Sequence, residues 1–222
     1  MNTSIPLFFN DVWKNLVKTG CEGFGLSLDD QQLDLISAHA ANLHMWNRTI
    51  NLTSIIEPAE IAAKHFIDSL AIMPYIKHKA RILDIGSGGG FPGFCLKIAN
   101  PDLDVVMIDS AKKKVNFLKD LIRSTNLKNI EAIHIRAEEL ADNAFYQNSF
   151  DIVVSRAFAK LDKFVKLSKP FLNKNGVILA MKGKDVLEEI DEINGNHISL
   201  KSFSYILPFQ NIQRSIIKIC YG

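Results

Sequence analysis

The stretch Arg81-Ile82-Leu83-Asp84-Ile85-Gly86-Ser87-Gly88-Gly89-Gly90-Phe91-Pro92-Gly93 decides the fold. Its first five residues form a short apolar run that reads as a buried strand. Four glycines then fall within five positions, 86 to 90, and Pro92 opens a helix over Pro92–Ala99. Glycine carries no Cβ and tolerates positive φ, so backbone in such a loop can approach a ligand closely. A strand, a glycine turn and a helix in that order belong to an open α/β sheet. Ligands there sit outside the carboxyl ends of the strands.

The chain on either side agrees. After the loop, the strands expected are Asp104–Ile108, Glu131–Ile135, Phe150–Val154 and Val177–Met181, with helices over Lys112–Ser124, near Glu138, over Leu161–Leu172 and over Lys184–Ile193. Val115, Leu118 and Ile122 show the helical period. Short apolar strands alternating with helices predict a mostly parallel sheet covered on both faces. Two further strands, Ser199–Leu207 and Arg214–Ile219, have no helix between them and predict a closing antiparallel hairpin. Upstream, residues 1–76 read as a helical extension and 77–222 as the sheet domain. Ser27 and Asp30 suggest a capping box, Leu33, Ile36, Ala40 and Leu43 recur at helical spacing, and Pro58 opens a helix carrying Ala62, Phe66, Leu70 and Met73 on one face.

Gly88 to Gly93 satisfies G-x-G-x-x-G, so a dinucleotide must be weighed. Asp84, two positions before the first glycine, argues against it, because a pyrophosphate would meet that carboxylate unfavourably. A cationic ligand with a free amino group would not. The Asp-x-Gly-x-Gly phasing resembles the loop of S-adenosylmethionine-dependent methyltransferases, and the antiparallel hairpin is typical of their sheet. Asp109, ending the second strand, falls where a ribose acceptor is expected. Ala137 N–H and the Glu138 carboxylate stand where adenine's edge would lie, although Glu138 could equally cap a short helix.

The fourth strand ends in Ser155-Arg156-Ala157-Phe158. The Asn/Asp-Pro-Pro-Tyr/Phe motif of exocyclic amine methylation is absent there. No cysteine nucleophile for carbon methylation is near, since Cys95 lies in the helix after the glycine loop. An acceptor that needs neither base nor covalent step remains, such as guanine N7, for which positioning is the main requirement. Arg156 offers a fork of donors for guanine O6 or a phosphate.

The formal charge of +2 averages two unlike regions, −4 over residues 1–76 and +6 over the remainder. Lys112, Lys113, Lys114, Lys119, Arg123 and Lys128 follow the second strand, and Lys182 follows the fifth, so phosphate contacts are expected on the ligand edge. The small total excludes a nonspecific, charge-driven RNA binder. Three scattered cysteines, Cys21, Cys95 and Cys220, form no CxxC pair, so neither zinc nor a disulfide framework is expected. No basic segment precedes the apolar Leu7-Phe8-Phe9, and Ile61–Ile76 is too short and polar to span a bilayer. A cytoplasmic protein is expected, without membrane or metal partners, acting as a monomer.

Several stretches together resemble the bacterial ribosomal RNA small subunit methyltransferase G family, also called glucose-inhibited division protein B. They are Trp46-Asn47 through Asn51-Leu52-Thr53, His65-Phe66-Ile67-Asp68-Ser69, the Asp84–Gly93 loop, Asp109-Ser110, Lys113-Lys114, Ser155 to Ala159, Lys182-Gly183 and Arg214. The resemblance covers about Leu33 to Ile219. It implies S-adenosylmethionine as cofactor and N7 of guanine 527 in 16S rRNA, alone or in the 30S subunit, as target. By position it implies cofactor contacts from Gly86, Phe91, Ala137, Glu138 and Arg156, beside the Asp84, Gly88 and Asp109 of the loop reading. Arg156 is also the candidate catalytic residue. Asn51, His65, Asp68, Arg123, Lys182 and Arg214 would line the cleft or the RNA path, with Lys113 and Lys114. Lys114 departs from the Arg of some members. His65 and Asp68, three apart on one helix, read as a structural pair or as walls of the guanine pocket. Competing readings are a nicotinamide oxidoreductase and a non-enzymatic RNA-binding protein on a relic fold.

Overall fold

Arg81–Ile85 (β1) lies at the centre of a sheet whose parallel part also contains Asp104–Asp109 (β2), Ile130–His134 (β3), Phe150–Arg156 (β4) and Leu172–Lys182 (β5). Ile198–Leu207 (β6) and Ile212–Tyr221 (β7) complete it as an antiparallel hairpin. The strand order is β3-β2-β1-β4-β5-β7-β6, so the chain reverses its direction of winding between β1 and β4. That reversal opens a crevice at the carboxyl edge. The structure, a computed structural model, describes residues 9–184, 186–193 and 198–221. The apolar Leu7-Phe8 start of the chain and Asp185 of the expected Lys184–Ile193 helix lie outside them. No helix among the described residues is long and apolar enough to cross a membrane.

The helical extension contains Asp11–Glu22 (α1), Asp30–Asn47 (α2), Pro58–Ile61 (α3) and Asp68–Leu70 (α4), with a π-helical stretch over Ala62–Ile67 joining the last two. The sheet carries Gly93–Ala99 (α5), Lys112–Thr125 (α6), Ala137–Leu140 (α7), Leu161–Ser168 (α8) and Leu187–Asp191 (α9). The capping box at α2 uses Asp29 and Gln32 rather than Ser27 and Asp30, and Leu33, Ile36, Ala40 and Leu43 are all buried. The helix expected to reach Leu172 ends at Ser168, because Pro170 permits only a 3₁₀ turn over Lys169–Phe171. β5 starts five residues earlier than expected, at Leu172, because strand geometry runs through the polar Asn173-Lys174-Asn175.

Side chains alternate across β1. Ile82 joins a core that includes Ile36, Phe66, Phe94 and Leu118, while Leu83 and Ile85 join the opposite core with Leu140, Leu161 and Phe164. The helical extension is thus sealed to one face of the sheet by apolar burial, which is the dominant favourable term in such packing. Its most important consequence is local. Helices α2 and α3–α4 stand next to the glycine loop and the end of β4.

Candidate active site

A cavity of about 380 Å³ opens over the carboxyl ends of β1, β2 and β4, lined among others by Gly86, Asp109, Lys114, Ala137, Glu138 and Phe158. Gly86 has φ +78°, and a Cβ there would come within 2.5 Å of Phe158 Cδ2. Only glycine keeps that wall open. Asp109 Oδ2 accepts the Gly88 N–H at 3.0 Å and its Oδ1 accepts the Ala111 N–H at 2.8 Å. One carboxylate therefore ties the glycine loop to the start of α6 and still faces the cavity. Ala137 and Glu138 begin α7 on another wall.

A second cavity, about 290 Å³, is lined by residues including Lys64, His65, Asp68, Arg156, Lys182, Tyr205 and Arg214. Ala157 lines both cavities and sits at φ +53°. A non-glycine residue in that conformation is held by its surroundings, and such positions cluster at functional sites. Arg156 Nη1 donates to the Lys64 carbonyl at 2.6 Å and Nη2 to His65 Nδ1 at 3.0 Å. Asp68 is the hub of the polar wall. Its Oδ1 accepts from Tyr205 Oη at 2.7 Å and pairs with Arg214 Nε at 3.5 Å, and its Oδ2 lies 3.5 Å from Arg156 Nη1. Lys182 Nζ donates to the Ala159 carbonyl at 2.6 Å and to Glu189 at 2.7 Å. The π-helical stretch places His65 and its carbonyl neighbours here; such irregular turns are common at functional sites. Burial, with the Arg156 cation second, holds His65 down to a pKa of about 3, so its ring is neutral.

The family model of rRNA small subunit methyltransferase G matches residues 32–217. The chain belongs to the rRNA small subunit methyltransferase G family. A family member from Geobacter sp. is 46% identical over 178 residues, covering 80% of this chain and 81% of that protein. Another from Acetivibrio thermocellus is 40% identical over 213 residues, covering 93% and 87%. The fold matches that of an S-adenosylmethionine-dependent methyltransferase from Aquifex aeolicus, with a TM-score of 0.58 at 14% identity over 76% of this chain and 96% of that one. Family and fold together make the protein an S-adenosylmethionine-dependent methyltransferase. The oxidoreductase reading and the relic reading are set aside by that membership.

The site residues expected from the loop and from the family resemblance divide unevenly. Gly86, Asp109, Ala137 and Glu138 line the first cavity, and so does Lys114, which the sequence placed on the RNA path. The bare wall at Gly86, two carboxylates and the α7 amides fit an adenosyl ligand: hydroxyls and an exocyclic amine find acceptors there. Asp84 does not line the cavity. Strand alternation turns it into the core beneath α5, where it is fully buried and Oδ2 accepts the Gly93 N–H at 2.9 Å. Burial pushes its carboxyl up to about 7. A Cβ at Gly93 would sit 2.7 Å from that oxygen, so Asp84 organises the loop from behind.

Phe91 is buried as well, stacked on His65 at 4.5 Å and on His39 at 4.9 Å between ring centroids, with the Arg156 guanidinium 4.9 Å from its centre. Arg156 lines the second cavity, not the first. Gly88 serves through its N–H. Asn51, Lys113 and Arg123 are exposed and line neither cavity, and Arg123 pairs with Asp120. Among the described residues no cluster of His, Cys, Asp and Glu is arranged to hold a metal. Sequence reasoning missed His39, Thr53 and Tyr205. His39 Nε2–H donates to the Gly89 carbonyl at 2.7 Å, so helix α2 holds the glycine loop directly. Thr53 stood in the quoted Asn51-Leu52-Thr53 motif without a role.

Proposed function

We propose that the protein transfers a methyl group to N7 of guanine 527 in 16S rRNA, free or within the 30S subunit, by in-line displacement without a general base. The observation that carries this reading is the shared wall at Ala157, across which a donor in the first cavity and an acceptor in the second would meet. The cofactor, when bound, supplies a methyl group on a positively charged sulfur. Gly86, Asp109, Ala137 and Glu138 would hold its adenosyl part.

The second cavity presents donors. Arg156, Arg214, Lys182 and Lys64 offer N–H groups and positive charge, which suit guanine O6 and flanking phosphates. No partner on its walls is set up to remove a proton. Both ring nitrogens of His65 are engaged, and both Asp68 oxygens face cations or a hydroxyl. Guanine N7 brings a lone pair and no proton, so the chain's task is alignment. Exposed Lys113 on α6 and the lysines of α8 would steer the polyanion. Such work would take place in the cytoplasm, where 30S subunits assemble, and would be done by a single chain.

The test is transfer of labelled methyl from S-adenosylmethionine to 30S subunits or 16S rRNA lacking the modification. Label recovered as N7-methylguanosine is expected. Label on another atom, or none on either substrate, would sink the reading.

A further inference from the structure

His65 carries more information than its burial. Its Nδ1 lies 3.0 Å from Arg156 Nη2, and a guanidinium has only donors. Nδ1 must therefore be bare, and the neutral ring carries its proton on Nε2. That nitrogen lies 2.8 Å from Thr53 Oγ1, so the threonine hydroxyl accepts. The same Oγ1 accepts the Ile55 N–H at 3.0 Å. Thr53 is itself fixed from the end of α2. Asn47 Oδ1 accepts the Leu52 and Thr53 N–H groups at 2.8 and 2.9 Å, and its Nδ2 donates to the Thr53 carbonyl at 2.9 Å.

We propose that Thr53 is a positioning residue, which accepts the Nε2–H of His65, secures the tautomer that Arg156 requires, and through it holds the plane of the Arg156 guanidinium on the wall of the second cavity. The opposite tautomer would turn an N–H against the N–H of Arg156, leaving two buried donors face to face. Arg156 then loses its Nη2 partner and is held on the Nη1 side alone, by the Lys64 carbonyl and Asp68, so its plane is free to tilt. The Asn47–Thr53–His65–Arg156 chain thus carries the geometry of the helical extension to the acceptor. Its consequence for rRNA rests on the functional reading above; the tautomer itself does not.

Three measurements on the full chain test it. First, ¹⁵N spectra of the His65 imidazole should show the Nε2–H form in the wild type and a mixture in Thr53→Val. Second, Thr53→Val should lose about tenfold in kcat/KM for rRNA, one hydrogen bond's worth, while Thr53→Ser stays within about twofold. The Kd for S-adenosylhomocysteine should stay within about twofold in both. Third, His65→Asn offers Arg156 an amide oxygen that has no tautomer, so Thr53→Val should cost nothing further in that background. A wild-type Nδ1–H form, full activity in Thr53→Val, or equal losses of cofactor and rRNA affinity would each overturn the proposal. If the wild type methylates no rRNA, the functional reading falls, and the ¹⁵N spectra still decide whether Thr53 secures the tautomer.

Discussion

The first cavity takes most of its walls from residues 85–138, the turns that follow β1, β2 and β3, whereas the second gathers residues 55–68, 156–157, 181–183, 205 and 214. The two meet at Ala157 and differ in chemistry as well as origin. The first presents backbone, a bare glycine and two carboxylates, with Lys114, Arg136 and Lys163 also on its walls. The second presents cations that are already bonded to carbonyls, to His65, to Asp68 or to the glutamates Glu60 and Glu189. Holding charged side chains in fixed directions takes partners from several elements, and the glycine loop too is tied down by Asp84, Asp109 and His39. This is why the helical extension and the terminal hairpin are built into the site. The extension contributes His65 and Asp68, and the hairpin contributes Tyr205 and Arg214.

If the two cavities are separable, mutations should divide between cofactor and acceptor. The largest effect is expected from Gly86→Val. A β-branched residue at φ +78° is strained, and its Cβ meets Phe158, so S-adenosylhomocysteine affinity should fall by at least about 100-fold. Binding of rRNA without cofactor should stay within about twofold. Titration calorimetry and filter binding check the pair, and a parallel loss of both would break the separation.

Arg156→Ala should lower turnover by about 100-fold, the scale of one positioned donor, with S-adenosylhomocysteine affinity nearly unchanged. Its melting temperature should drop less than loss of fold requires, because Asp68 keeps Arg214 and Tyr205. A collapse of cofactor affinity would move Arg156 to the first cavity, as family resemblance alone implied. Glu138→Gln belongs to the other side. It should weaken S-adenosylhomocysteine by about tenfold, the value of one charge-assisted hydrogen bond, and leave rRNA binding alone.

The smallest effect concerns pH. Burial holds His65 at about 3 and His39 at about 4, against 6.5 in the unfolded chain. Between pH 6.5 and 4 the unfolded chain binds protons that these rings refuse, so stability falls as pH drops. Asp84, held up at about 7, acts in the opposite sense over the same range, because the folded chain keeps a proton that the unfolded chain has released. The balance is about one proton, or at most about 1.4 kcal/mol per pH unit. Urea titrations between pH 4.5 and 6 should show that slope, and Asp84→Asn should steepen it. A flat profile would mean the rings are not held neutral.

Much of the first cavity was legible because its residues are local. The glycines, Asp109 and the α7 residues each stand at a strand end, and their place on the cavity wall comes with that position. Asp84 misled for an equally local reason: alternation along β1 turns it inward, and a one-residue difference in facing is invisible in a short apolar run. The second cavity was legible only as residues, not as an arrangement. Arg156, Lys182 and Arg214 were picked out, but nothing in the sequence marks the π-helical stretch that lifts His65 and Asp68 towards them. Tyr205 looks like any alternating residue of a hairpin strand. His39 looks like a core position of α2, and only the fold reveals that it grips Gly89.

The most direct test of the account is the position of the methyl group. Subunits from cells lacking this protein should be incubated with S-adenosylmethionine and either the wild type or Arg156→Ala, and the 16S rRNA mapped for N7-methylguanosine. One new N7-methylguanosine, at guanine 527, made by the wild type and nearly absent with the variant, is the predicted result. A methyl group on a different atom, or equal transfer by both proteins, would contradict a base-free methyl transfer aligned by Arg156.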